Sequence, residues 1–366
     1  MSAHRDAAID ELRGLAFLAV LASHVGLIYG LDLDLAYAMA MPAFGVGVDL
    51  FFVISGYVIT RNLLELRERA GGDIIVSTAA FWMRRVIRIG PPLWVTAAAI
   101  AVARLALPPA GSLADLIAGA GFFSDFYWAE CMTRGTSCPS PLIASHFWSV
   151  GLEMQFYALA PFVIALRRAL AIACLVGILI AGAVAARPVG GYLWSVRPDA
   201  LLLGVALAGE GARDSAWLGR LPRVGLVQAA YWLVIAAVVA RIAASELSGL
   251  AIVVTAAICA YVVATRIATG AHAGWWARWL QNVGMASYGA YLVHLPILSA
   301  VHALLSDRAS PVLSLGAALA CVGIATALTQ RLIVQPAATA GRRWSDAFII
   351  KNCKQSGVAY KRPSIF

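Results

Sequence analysis

Residues 11–30 read ELRGLAFLAVLASHVGLIYG, an apolar run that carries Arg13 and His24. A hydrocarbon core about 30 Å thick takes roughly 20 residues of α-helix to cross, so this run is long enough to span it. With Arg13 and His24 inside it and no small-residue cleavage site behind it, the run is expected to stay in the membrane and not to be removed as a signal peptide. The pattern recurs. Further apolar runs lie at 43–61, 91–107, 146–166, 169–186, 198–210, 225–243, 249–265, 280–305 and 311–333, ten in all. Residues 113–128 are also apolar but contain Asp115, Ser124 and Asp125, which predicts an interfacial or re-entrant segment and not another span.

The composition agrees. Of 366 residues, 61% are apolar and 13% charged, and the mean hydropathy is +0.81; soluble chains are about half apolar and a quarter charged. The expected fold is an all-α integral membrane bundle of about ten transmembrane helices. This excludes a cytosolic enzyme, a disordered chain, a repeat solenoid and a disulfide scaffold. With the N-terminus inside, 22 of the 28 Lys and Arg residues fall on the cytoplasmic side, so both termini are expected there, in the cytoplasmic or inner membrane. Much of the +9 net charge is then topological, and no nucleic-acid partner is expected. Residues 1–340 read as the transmembrane domain and 341–366 as a basic, loosely ordered cytoplasmic tail held near anionic lipid.

Cys174, Cys259 and Cys321 lie within runs as small apolar side chains, and Cys353 lies in the tail. Cys131 and Cys138 share an outer loop, CMTRGTSCPSP, where an oxidising exterior would join them. No zinc-like spacing occurs, so no metal is expected.

Charged groups inside a bilayer are costly and usually face a bundle interior or cavity. Arg13 and His24 are eleven residues apart, which puts them on one helical face about 16 Å from each other. The Arg is then near the inner mouth of a cavity and the His beyond the midplane, where a neutral imidazole can take a hydroxyl proton. The alternative is an arginine reaching the headgroups and a packed histidine. The second run holds Ser55 and Tyr57, which suit close packing and a hydrogen bond across the bundle; without a GxSxG elbow Ser55 is no hydrolase nucleophile.

STAAFWMRRVIRIGPP, residues 77–92, predicts an amphipathic helix capped by Ser77 or Thr78, with Pro91 and Pro92 starting the next span. Arg84, Arg85 and Arg88 then form an inner cluster suited to phosphate oxygens or to lipid headgroups. In SHFWSVGLEMQFYALAP, His146 and Glu153 share a face and Glu153 neighbours Tyr157; a carboxylate this deep needs a partner. Arg197 and Asp199 stand at an outer entrance, Asp199 also placed to favour a helix N-terminus. Tyr288 and Tyr291 share one face, and His294 lies just before Pro296.

Taken in order, R-x10-H at Arg13 and His24, FFVISGY at 51–57, RRVIRIGPP at 84–92, FWSVGLEMQFY at 147–157, RPDALLLG at 197–204 and SYGAYLVHLP at 287–296 resemble the acyltransferase 3 family of membrane O-acyltransferases. The resemblance implies transfer of an acyl group, usually acetyl, from cytoplasmic acyl-CoA to a hydroxyl of an extracytoplasmic glycan or lipid-linked saccharide. It implies that His24 is catalytic with Arg13 and Glu153, and that Arg85 and Arg88, with Arg84 beside them, bind acyl-CoA. Ser55, Tyr57, Tyr157, Arg197, Asp199, Tyr288 and His294 would bind the acceptor or form a polar network. Asp125 and Trp128, beside the Cys131–Cys138 loop, are expected to form an acceptor entrance. Acyl-CoA is a substrate, so no retained cofactor is expected. The chain ends soon after its tenth run, so no fused hydrolase-like domain is expected. Small-molecule or lipo-oligosaccharide acylation at the cytoplasmic face is an alternative, as is a transporter of an acyl or glycan precursor, although no internal repeat is visible. A homo-oligomer remains open.

Overall fold

The computed structural model describes residues 7–29, 34–105, 112–134, 143–166, 168–188, 190–211, 220–222, 224–242 and 248–356, with backbone alone for 34–45, 210, 211 and 240–242. Among them every regular element is helical. They are α1 (Ala7–Tyr29), α2 (Asp34–Arg69), α3 (Ile74–Ala103), α4 (Leu113–Ala120), α5 (Ser124–Arg134), α6 (Phe147–Ala165), α7 (Arg168–Val184) and α8 (Tyr192–Ser195). There follow α9 (Asp199–Gly211), α10 (Leu226–Ile242), α11 (Ser248–Thr269), α12 (Trp275–Leu305), α13 (Pro311–Thr329) and, after a π-turn at Gln330–Val334, α14 (Gln335–Ser356).

Seven helical stretches are long and apolar enough to cross a membrane: Ala7–Tyr29, Val46–Arg69, Ile74–Ala103, Phe147–Ala165, Ser248–Thr269, Trp275–Leu305 and Pro311–Gln355. The other three expected spans fall on the shorter helices α7, α9 and α10. This is a multi-pass membrane protein.

The centre of the bundle is made by α1, α2, α9, α11 and α12. Helix crossings here bring backbones into direct contact. A Cβ on Gly14 or Gly284 would collide with the carbonyls of Leu280 and Asp10, and one on Gly56 or Gly204 with those of Leu201 and Val53. Small residues are what lipid-embedded helices need for such approach. Near the N-terminal end of α1, beside its crossing with α12, Glu11 and Arg266 form a fully buried ion pair. Glu11 also accepts from the Gln281 amide at 2.9 Å and the His272 backbone at 3.0 Å, and Arg266 donates to the Val224 carbonyl at 3.1 Å.

Two sequence expectations change. The amphipathic segment and the third span are one helix, α3, capped at Asp73, whose carboxylate accepts from the Val76 N–H at 2.9 Å, and not at Ser77 or Thr78. Pro91 and Pro92 lie inside it because prolines are tolerated in packed membrane helices. The boundary at 341 is no break: 341–356 continues α14, which docks on α3. Its Ser345 and Ile349 are wholly buried and Asp346 bridges Arg84 at 2.5 Å and Arg69 at 2.9 Å. Apolar and charged partners on α3 and α2 hold what composition alone portrays as a solvated tail; residues 357–366 lie outside the described residues. The 113–128 segment forms the paired short helices α4 and α5.

Candidate functional site

Prolines shape the site. Pro296 leaves the Leu292 carbonyl without its helical N–H, and Pro161 does the same to Tyr157. Neighbouring helices supply the missing donors. His146 Nε2 lies 3.2 Å from the Leu292 oxygen, and the Trp82 indole donates to the Tyr157 oxygen at 3.1 Å. The turn of α12 before Pro296 is thereby tied to the start of α6, and α6 to α3.

Two clusters result, at different depths. In the first, His24 Nδ1 lies 2.8 Å from His294 Nε2, both residues being buried. His294 Nδ1 lies 2.7 Å from the Tyr291 carbonyl and 3.2 Å from that of Ala290. A carbonyl can only accept, so His294 Nδ1 carries hydrogen and its Nε2 in the neutral ring is an acceptor. His24 therefore donates from Nδ1, and its Nε2 holds the lone pair. His146 packs edge-on to His294 with centroids 5.2 Å apart, and the Tyr291 hydroxyl joins Ser149 at 2.6 Å and the His146 carbonyl at 2.9 Å.

In the second cluster, toward the opposite end of α1, one oxygen of Glu153 accepts from both Ser55 and Tyr157, whose hydroxyls are 3.0 Å apart. The Arg85 guanidinium lies 5.4 Å over the rings of Phe81 and Tyr157 and donates to Asn62 at 3.2 Å. Arg13, 3.4 Å from Asp10, lies within electrostatic reach of Arg88 and Glu153, and the Tyr288 hydroxyl donates to the Ile89 carbonyl at 2.7 Å. Cationic and hydroxyl groups thus converge below the histidine pair, about 16 Å away along α1.

Other sequence candidates lie elsewhere. Arg84 is separated from Arg85 and Arg88, its guanidinium given to Ser345 at 2.6 Å and to Asp346. Tyr57 accepts from Arg61 at 2.9 Å. Arg197 and Asp199 belong to different ion pairs, Arg197 with Asp49 at 3.6 Å and Asp199 with Arg187 at 2.8 Å. The Arg197 guanidinium also lies over the Trp148 ring at 5.4 Å and the Trp194 ring at 4.6 Å. The acceptor entrance expected at Asp125 and Trp128 is not open. Both are buried, Asp125 taking the Gln155 amide and Trp128 donating to Asp115 at 2.9 Å, so they knit α4 and α5 to α6. Burial pushes the Asp115 carboxyl up to about 6 and raises that of Asp125, while the bonds from Trp128 and Gln155 oppose it. Cys131 is disulfide-bonded; Cys138 lies outside the described residues.

Glu11 escapes the sequence pattern, Arg266 counts there only toward the cytoplasmic-side charge, and His146 has no role of its own in it. An ionisable residue within helical reach of an apolar run was the available signal for all three. Among the described residues no group of three or more His, Cys, Asp or Glu side chains is arranged to hold a metal ion.

Comparison with known proteins adds the chemistry. The model of a family described as an acyltransferase domain, acyltransferase 3, matches residues 6–330. Over 159 residues the chain is 31% identical to the peptidoglycan O-acetyltransferase OatA of Listeria monocytogenes, covering 42% of this chain and 23% of that protein. It is 30% identical to YrhL of Bacillus subtilis, a candidate peptidoglycan O-acetyltransferase, over 42% of this chain and 23% of YrhL. The matched region is thus about a quarter of the length of these relatives. No solved structure matches.

Proposed function

The chain belongs to the acyltransferase 3 family, and on that premise we propose that it moves an acetyl group from cytoplasmic acetyl-CoA to a hydroxyl of an extracytoplasmic cell-surface glycan. The observation that carries the reading is the His24–His294 pair, in which the Tyr291 carbonyl fixes the His294 tautomer and so makes Nε2 the basic nitrogen of neutral His24. A hydroxyl at that nitrogen gives up its proton as its oxygen attacks the thioester carbonyl. The C–S bond breaks, and the thiolate leaves and takes a proton. His294 shares the positive charge that His24 gains, because the hydrogen bond between them strengthens when His24 is an imidazolium.

Arg13, Arg85 and Arg88 supply cationic groups on the side from which the donor arrives, and guanidinium forks suit its phosphates. The positive-inside count supports that side being cytoplasmic, with ten crossings and both termini inside the inner membrane. Mass spectrometry of surface glycans from cells with and without the gene tests the activity: loss of one acetyl increment supports it, and unchanged glycans contradict it.

A further inference from the structure

His146 has one polar atom that no described residue uses. Its carbonyl accepts the Tyr291 hydroxyl at 2.9 Å and that of Ser149 at 3.3 Å. Its Nε2 faces the Leu292 carbonyl, the one Pro296 leaves free, at 3.2 Å. That carbonyl can only accept, so neutral His146 carries its hydrogen on Nε2 and leaves Nδ1 as a lone pair. The residue is wholly buried, and among the described residues Nδ1 has no hydrogen-bond partner. A buried acceptor held this firmly without a donor calls for an explanation, and an arriving ligand is one.

The location selects the ligand. His146 packs against His294, which in turn holds His24, so its ring belongs to the group around the transfer centre. It stands at the start of α6, the end opposite the Arg13, Arg85 and Arg88 side. An ammonium would pay heavily for entering so apolar a setting, whereas a hydroxyl enters neutral and satisfied. We infer that His146 Nδ1 accepts a hydrogen bond from a second hydroxyl of a saccharide acceptor, holding it while His24 receives the reacting one. The inference rests on the acyl-transfer reading of His24.

The test compares His146→Gln with His146→Asn in proteoliposomes supplied with acetyl-CoA and an N-acetylglucosamine oligosaccharide as probe. Gln keeps an N–H for Leu292 and loses the acceptor at Nδ1; Asn keeps a carbonyl oxygen near Nδ1 and gives up the Leu292 bond. Expected is a rise of about tenfold in the oligosaccharide KM for His146→Gln with the acetyl-CoA KM unchanged, and a smaller rise for His146→Asn. The opposite ranking marks a structural role and overturns the proposal, as does a rise confined to acetyl-CoA. Binding of the oligosaccharide without acetyl-CoA is measured in parallel. Wild-type protein that binds but transfers nothing contradicts the acyl-transfer reading, while weaker binding by His146→Gln still supports the acceptor site. Equal binding by both, or none by wild type, overturns the site itself.

Discussion

Nδ1 of His24 stands 2.8 Å from Nε2 of His294, and the hydrogen between them belongs to His24 because His294 gives its own to the Tyr291 carbonyl. Removing His294 therefore changes which nitrogen of His24 is protonated without touching the reacting group. His294→Ala is expected to lower kcat about 10²-fold, the scale of a mispositioned general base, with the acetyl-CoA KM little changed. His294→Gln, which offers an oxygen to His24, should recover part of the loss. Steady-state kinetics of the two variants decide; equal activity of wild type and His294→Ala contradicts the tautomer account.

The three arginines of α3 should separate by phenotype. Arg84→Ala leaves Asp346 with Arg69 alone and removes the Ser345 contact, which loosens α14, so limited proteolysis should cut 341–356 faster while the acetyl-CoA KM holds. Arg85→Ala and Arg88→Ala should raise that KM with α14 still protected. A KM effect of Arg84→Ala as large as the other two would return it to the donor site.

The Glu11–Arg266 pair makes the N-terminal end of α1 a stability element. Glu11→Ala strands a buried guanidinium and should cost roughly 3–5 kcal/mol, whereas Glu11→Leu combined with Arg266→Met should recover most of it. Unfolding in detergent measures both. A single variant as stable as wild type would show that the pair holds nothing.

Asp115 gives stability a pH dependence. Unfolded, it titrates near 3.8; folded, burial pushes it up to about 6, so the folded state binds its proton more tightly. Its contribution is therefore greatest in acid, drains as the pH rises from about 4 to about 6, and is level above. Asp115→Asn keeps an oxygen for Trp128 and carries no charge. Its melting temperature should exceed that of wild type at pH 7.5 and converge with it toward pH 4; a gap independent of pH would contradict the assignment.

Every one of the ten apolar runs falls on a helix, because run length is a local property that a bilayer reads directly. Partner choice is not local. Arg84 meets Asp346 across 262 residues and Arg266 meets Glu11 across 255, and charge counting cannot foresee either. His24 and Glu153 stood out because lipid forbids them without a reason. His294 could be placed near mid-bilayer, but its bond to His24 depends on the parallel register of α1 and α12, which the Gly14 and Gly284 contacts set. Pro296 was legible as a helix position that frees a carbonyl. That its freed carbonyl would orient His146 was not, since the donor lies 146 residues away.

The most direct test of the central claim is acetyl transfer by His24→Ala in reconstituted membranes, with folding checked by thermal unfolding. The account predicts a protein that melts as wild type does and adds no acetyl group to the glycan. Wild-type transfer by that variant would contradict it.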